Sequence, residues 1–437
     1  MAGNALVDMF RVKELRERIL YTIFWLLVFR LGVHLTIPGI DVTALQNYFA
    51  TRSGGSGGLM DFLDFFAGGA YRNFSIFMLG VMPYISTQII IQLMLILIPK
   101  WKKMAQEEGG RQKIQLWTRI ITIPVCVVQG ISYINMAGAA AEAVSPIMDR
   151  NLFMIFGILS VTVGTMFLIW IGEQITRRGI GNGVSIIIFA GIVARLPAAF
   201  MELVQQIQSD NLNAVNVIVV FAMFIGVVAL VIYEQQGQRK IPVAYAKRVV
   251  GRKVMGGVNT YIPFKINPSG VIPVIFAGSI LQMLVGAGQS ISWLSWLGAF
   301  LNPGGIGYNV IYILFIVGFA YFYTQVSLNP TEIARQIREN GGSIPGIRSE
   351  KMEEYLNKIL NRIILPGALY LGMIALIPVI VTSVFKFPQS LAYLLGGTSL
   401  IILVGVDLDT MSQINALLKM HHHDGLTKKG HLRGRSL

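Results

Sequence analysis

Ten apolar runs, each about as long as a helix needs to cross a bilayer, divide this chain of 437 residues. They fall at about 19–37, 74–98, 119–139, 152–172, 184–204, 214–233, 270–290, 308–327, 364–384 and 390–406. A helix advances about 1.5 Å per residue, so roughly 20 apolar residues span the hydrocarbon core. Lipid offers backbone N–H and C=O groups no partners, so such runs must satisfy their own hydrogen bonds and are predicted to be helices. Pro83, Pro273 and Pro366 lie within runs and are expected to kink them. Composition agrees: 13% of residues are charged, against about 25% in a soluble domain. A water-facing surface so poor in charge would be one broad apolar patch. The predicted fold class is therefore an all-α integral membrane protein with ten transmembrane helices.

Basic residues set the orientation. Of the 36 Lys and Arg residues, 30 fall in the N-terminus, the C-terminus and the loops 99–119, 173–183, 234–269 and 328–363. The opposite side holds Arg52, Arg72, Arg150, Arg195 and Lys386, and Arg30 lies within the first run. Basic segments resist translocation, so both termini are predicted to be cytoplasmic. The net charge of +14 is thus concentrated on one face, which suits anionic lipids and acidic partners. Ten spans divide into two sets of five, and five is odd, so the second half would be inverted relative to the first. The expected organisation is a cytoplasmic N-terminus 1–18, a half 19–205, a half 206–413 and a basic cytoplasmic tail 414–437. Inverted repeats build transport paths at their interface.

Several chemistries fail on inspection. Cys126 is the only cysteine and sits in an apolar run, which leaves no disulfide framework and no thiolate metal site. No small-residue cleavage site follows a short apolar core, so the first span is expected to be retained. Gly54-Gly55-Ser56-Gly57-Gly58 has the spacing of an esterase elbow but no strand before it. Gly179 to Gly183 is a glycine-rich turn between two spans, not a dinucleotide fingerprint. The run His421-His422-His423 reads as solvated tail. No cofactor and no enzyme activity are expected. A secondary transporter would need ionisable residues at span depth for coupling, and apart from Arg30, Asp407 and Asp409 there are almost none.

One short segment stands apart. Residues 59–71 are too short to span; Leu59, Phe62 and Phe66 share a helical face, and glycines flank the segment on both sides, Gly68-Gly69 among them. It could lie on the membrane as an interfacial amphipathic helix. Elsewhere, Val81 and Ile85 are four residues apart, as are Val184 and Ile188, so each pair shares a helix face. That spacing is equally compatible with ordinary packing or lipid contact.

A set of segments in fixed order carries a family likeness. Ile37-Pro38-Gly39-Ile40-Asp41 closes the first span, and Gly80-Val81-Met82-Pro83-Tyr84-Ile85-Ser86 belongs to the second. Gly172-Glu173-Gln174-Ile175-Thr176 leads through Arg178-Gly179-Ile180-Gly181-Asn182-Gly183 to the fifth. Tyr245-Ala246-Lys247, Gly270-Val271-Ile272-Pro273, Asn329-Pro330, Pro345-Gly346-Ile347-Arg348 and Gly396-Gly397-Thr398-Ser399 follow. From about Glu14 to Ala416 the chain resembles the SecY/Sec61-alpha family of protein-conducting channels.

The resemblance implies two inverted five-helix halves around a central hourglass pore. It implies a constriction ring of Val81, Ile85, Val184, Ile188, Ile275 and Ile402, a dewetted apolar gasket. It makes 59–71 a plug, and it makes Ser86, Thr87, Gln92, Gln129, Gln282 and Met283 part of a lateral gate, with Ser86 facing Met283. Polar glue for static helix packing is the competing reading of these residues. It makes the loops 234–269 and 328–363 docking sites for the ATPase motor SecA or the ribosome, through Arg252, Lys253, Arg335, Arg338 and Arg348. Further implied partners are the small subunits SecE and SecG, signal sequences, unfolded polypeptides, SecDF and YidC. The implied location is the bacterial cytoplasmic membrane.

Overall fold

The computed structural model describes residues 12–41, 64, 67–107, 109–138, 149–209, 214–245, 247–250, 253–256, 259–290, 295–301, 305–385, 387, 392 and 396–429. Most of them are helical. The helices are α1 (Lys13–Val33), α2 (Met82–Leu97), α3 (Pro99–Gln106), α4 (Gly110–Gly138), α5 (Arg150–Arg178), α6 (Gly183–Gln208) and α7 (Ala214–Gln236). After them come α8 (Ile272–Ser290), α9 (Ser295–Phe300), α10 (Ile306–Ser327), α11 (Pro330–Glu339), α12 (Met352–Ala375), α13 (Ile377–Phe385) and α14 (Gly397–Lys429).

Among the described residues seven helical stretches are long and apolar enough to cross a membrane, and α2 with α3, bent by 99°, would make an eighth. The two remaining expected spans fall to α1, which carries Arg30 and a charged first turn, and to α8. Lipid-facing stripes are plain on the longest helices. On α5, Ile155, Leu159, Val163, Phe167 and Trp170 are exposed at helical spacing. The opposite face of α5 is buried and carries Gly157 and Gly164. There a Cβ on Gly157 would meet Ile134 of α4 at 2.9 Å, and one on Gly164 would strike the Ile76 carbonyl. Small residues let helices approach closely where lipid supplies no hydrophobic drive.

Packing divides the chain into two compact units with bounds other than the halves 19–205 and 206–413. One comprises Met1–Ile91, Ala105–Met201 and Ile402–Leu437; the other comprises Gln92–Met104 and Glu202–Ile401. In the first unit α5 packs on α4 and on α1. Its core gathers Ile37, Tyr71, Phe74, Met78, Leu79, Cys126, Ile134, Phe153 and Val161.

The second apolar run is not one helix. Residues 67–81 form turns laid against the end of α1, and helix begins only at Met82. The Ile37 N–H donates to the Phe74 carbonyl at 2.9 Å, the Ile76 N–H to the Leu35 carbonyl at 3.0 Å, and the Ser75 hydroxyl to the Gly32 carbonyl at 2.7 Å. Gly80 at φ 56° and Phe74 at φ 47° hold the left-handed backbone that interrupts helix. Pro83 and Pro273 are the second residues of α2 and α8, where a missing N–H costs no hydrogen bond, so they open their helices and do not kink them. Pro366 lies inside α12 as expected, and Pro124 and Pro197 lie inside α4 and α6.

The second unit holds the β-structure that the apolar pattern does not announce. The loop 234–269 folds as β1 (Gln238–Tyr245), β2 (Lys247–Val250), β3 (Lys253–Gly256) and β4 (Asn259–Lys265). β1 pairs antiparallel with β4, from Gln238 opposite Lys265 to Ala244 opposite Asn259, and β2 pairs with β3. The loop 328–363 joins the same sheet through β5 (Gly342–Ser343) beside β1. Ile241 and Val243 alternate inward along β1 and meet Phe264, Ala334, Ile337, Ile344, Met352 and Leu356 in one core. The two basic loops are therefore one folded subdomain. Helix α14 runs on to Lys429, so most of the expected tail 414–437 is helical backbone.

Candidate functional site

The segment expected to be a plug is described at Asp64 and from Ala67 onward; Leu59, Phe62 and Phe66 lie outside the described residues. Asp64 is completely buried, and Arg195 of α6 closes on its Oδ2 through Nη1 at 2.5 Å. The Arg72 Nε stands 3.5 Å from the same oxygen, and the Arg72 backbone N–H donates to Oδ1 at 2.9 Å. The chain turns at Gly68 (φ 66°) and Gly69 (φ 93°), and the Gly69 N–H donates to the Asp64 carbonyl at 3.0 Å. A Cβ on Gly68 would lie 2.8 Å from the Gly191 Cα of α6, so the two backbones touch. Arg30 of α1 donates from Nη1 to the Gly68 carbonyl at 2.9 Å. The glycine joint expected after the segment is thus a defined left-handed turn clamped between α1 and α6.

The pore candidates sit at helix starts. Val81 precedes α2 and Ile85 lies in its first turn; Val184 and Ile188 occupy the first two turns of α6, Ile275 the first turn of α8 and Ile402 the second turn of α14. Val81, Ile85, Ile188 and Ile402 are buried, while Val184 and Ile275 are half-buried. Val184 packs toward α5, where a Cβ on Gly172 would lie 3.2 Å from its Cγ2.

The gate candidates on α2 satisfy themselves. The Ser86 hydroxyl donates to the Met82 carbonyl at 3.1 Å and the buried Thr87 hydroxyl to the Pro83 carbonyl at 2.8 Å. Both bonds stay within the helix, so neither hydroxyl requires a partner across a seam. Gln92 is different: its buried Oε1 has no hydrogen-bond partner among the described residues. Gln129 is half-buried on α4, and Gln282 and Met283 lie on α8.

In the basic subdomain, Lys253 opens β3 and Arg252 lies outside the described residues. Asn329 caps α11, accepting the Thr331 N–H at 3.2 Å, and Pro330 takes the first helical position. Arg335 points outward and bonds Glu332 at 2.7 Å; this hydrogen bond holds the exposed Glu332 carboxyl below the usual carboxylate range. The Arg338 Nε donates back to the Ala334 carbonyl at 3.2 Å. Arg348 is exposed, with no ion pair among the described residues. Its backbone is fixed by Gly346 at φ 83° and by the Lys351 N–H donating to the Arg348 carbonyl at 3.0 Å. A cleft of about 420 Å³ lies between β4 and α11, lined by Ile262, Phe264, Lys265, Ile333 and Ile337 among others.

Reading the residues in order missed the ion pairs. Asp64 with Arg195, and Arg119 with Glu173, are each oppositely charged residues in or beside apolar runs, and only that coincidence of sign pointed to them. No group of three or more His, Cys, Asp or Glu that could hold a metal occurs among the described residues.

The chain as a whole is similar to known proteins. A SecY family profile matches residues 75–411. A protein translocase subunit SecY of Borreliella burgdorferi is 44% identical over 431 residues, covering 97% of this chain and 98% of the relative. That of Thermotoga maritima is 40% identical with 99% of each covered, and that of Escherichia coli K12 is 39% identical with 96% of each covered. Among solved structures, the chain superimposes with TM-score 0.63 and 17% identity, 92% of each chain covered, on a SecY whose plug domain stabilises the closed state of the translocation channel and maintains a membrane seal. It superimposes with TM-score 0.56 and 17% identity, again 92% of each covered, on Sec61 in a canine ribosome–channel complex.

Proposed function

The chain belongs to the SecY family, and on that premise we propose how its own residues divide the work of the channel. It is a protein-translocation channel subunit and a multi-pass membrane protein, and the transporter reading falls with that membership. Unfolded secretory chains pass through the ring of Val81, Ile85, Val184, Ile188, Ile275 and Ile402, whose branched side chains exclude hydrated ions and yield to a passing peptide. The segment around Asp64, Gly68 and Gly69 is the plug. Membrane segments leave sideways between the helices that carry Ser86, Thr87, Gln92 and Gln129 and the one that carries Gln282 and Met283.

The subdomain of Arg252, Lys253, Arg335, Arg338 and Arg348 receives SecA or the ribosome. Its basic surface, gathered into one fold, supports docking over a mere topology signal. SecE and SecG flank the channel, SecDF and YidC join it, and anionic lipids meet its basic face. The location is the bacterial cytoplasmic membrane with both termini inside. The chain is not an enzyme, and the driving force comes from its partners.

The observation that carries this reading is the short stretch from Asp64 to Arg72, clamped to α1 and α6 where an ordinary connecting loop would run free. A cross-link tests it. With Ser86→Cys and Met283→Cys in a Cys126→Ala background, oxidation should join the two and block translocation, since a disulfide needs Cα atoms within about 7 Å. Reduction should restore transport, and a longer bifunctional cross-linker should permit it. Wild-type translocation of a secretory precursor despite full oxidation would overturn the gate. A block that no spacer length relieves would also count against a lateral gate at this seam.

A further inference from the structure

We propose that Arg195 is a positioning residue for the plug, and that its ion pair with Asp64 sets how firmly the channel closes. The inference rests on the plug reading above. Two contacts, four residues apart on each strand of chain, join the segment to α6 in antiparallel register. Asp64 meets Arg195, and Gly68 meets Gly191. The second is a backbone contact that only glycine allows, and it fixes the distance at which the first can form. Arg72 flanks Asp64 from the segment's own side, and Arg30 holds the Gly68 carbonyl from α1.

The carboxylate is fully buried, and the Arg195 side chain keeps only 17% of its accessibility. A buried pair is poor glue when compared with two apolar residues, but removing one partner alone leaves an uncompensated charge. That asymmetry suits a latch. Displacing the segment into water rehydrates both ions, so opening avoids the penalty of leaving one buried charge unpaired. The Arg72 side chain, 3.5 Å from the same oxygen but 45% accessible, compensates the Asp64 charge only in part when Arg195 is lost.

The test is ion conductance of the complete channel complex in planar bilayers, without substrate. Arg195→Gln is expected to raise resting leak about tenfold, less than the full cost of breaking a buried pair because Arg72 stays beside Asp64. In an Asp64→Asn background the same substitution should add nothing, because its partner is already neutral. Arg195→Lys, which keeps the charge, should recover most of the seal and also serves if Arg195→Gln does not accumulate. Leak unchanged by Arg195→Gln, or effects that simply add, would overturn the latch. Deletion of residues 59–67 separates the two ideas. If the deletion raises leak and Arg195→Gln does not, the plug stands without the latch. If neither does, the plug reading itself has failed, and the latch with it.

Discussion

Arg119 of α4 and Glu173 of α5 form an ion pair, Nη2 to Oε1 at 2.5 Å, with about a quarter of each side chain still accessible. It joins two helices of the first unit that also meet through apolar and glycine contacts. Tyr84 and Gln88 stand on α2, with the Gln88 Nε2 donating to the Tyr84 hydroxyl at 3.3 Å. Glu173→Gln should destabilise the folded channel by about 1–3 kcal/mol, less than for a fully buried pair because both groups keep some water. Arg119→Gln in the same chain should recover part of that loss. Thermal unfolding in detergent measures both single variants and the double, and losses that simply add would show that the pair contributes nothing.

The proposed constriction gives a second expectation. Ile85 and Ile188 are both buried, at 6% and 3% exposure, so their side chains fill space that glycine would leave empty. Ile85→Gly with Ile188→Gly should raise ion leak in planar bilayers several-fold while secretory precursors still pass. Conductance equal to wild type in the double variant would place these residues in ordinary packing.

Arg348 gives a third. Its turn is held by backbone bonds and by Gly346, and its side chain takes no part in the core of the subdomain. Arg348→Glu should therefore leave stability within about 0.5 kcal/mol of wild type. In inverted vesicles, the same variant should abolish SecA-driven translocation. Normal transport would remove Arg348 from the docking surface, and a matching loss of thermal stability would assign it a structural role instead.

Most of the membrane architecture was legible in order along the chain. Run length, the alternation of basic loops, and a short glycine-flanked segment depend on neighbours in sequence, and the hydrocarbon leaves helices little alternative. The family motifs were equally local. What tertiary structure decided depends on proximity in space. Nothing in the sequence separation of 131 residues between Asp64 and Arg195 predicts their contact; the Gly68–Gly191 approach brings them together. The run 74–98 looked continuous because apolar composition does not distinguish a spanning helix from a buried turn. Left-handed Phe74 and Gly80 and the position of Pro83 delay the helix to Met82. The basic loops gave no sign of a shared core either. Ile241, Val243, Phe264, Ile337 and Leu356 become one cluster only when β1 pairs with β4 and β5, and pairing of distant strands is a property of the folded chain.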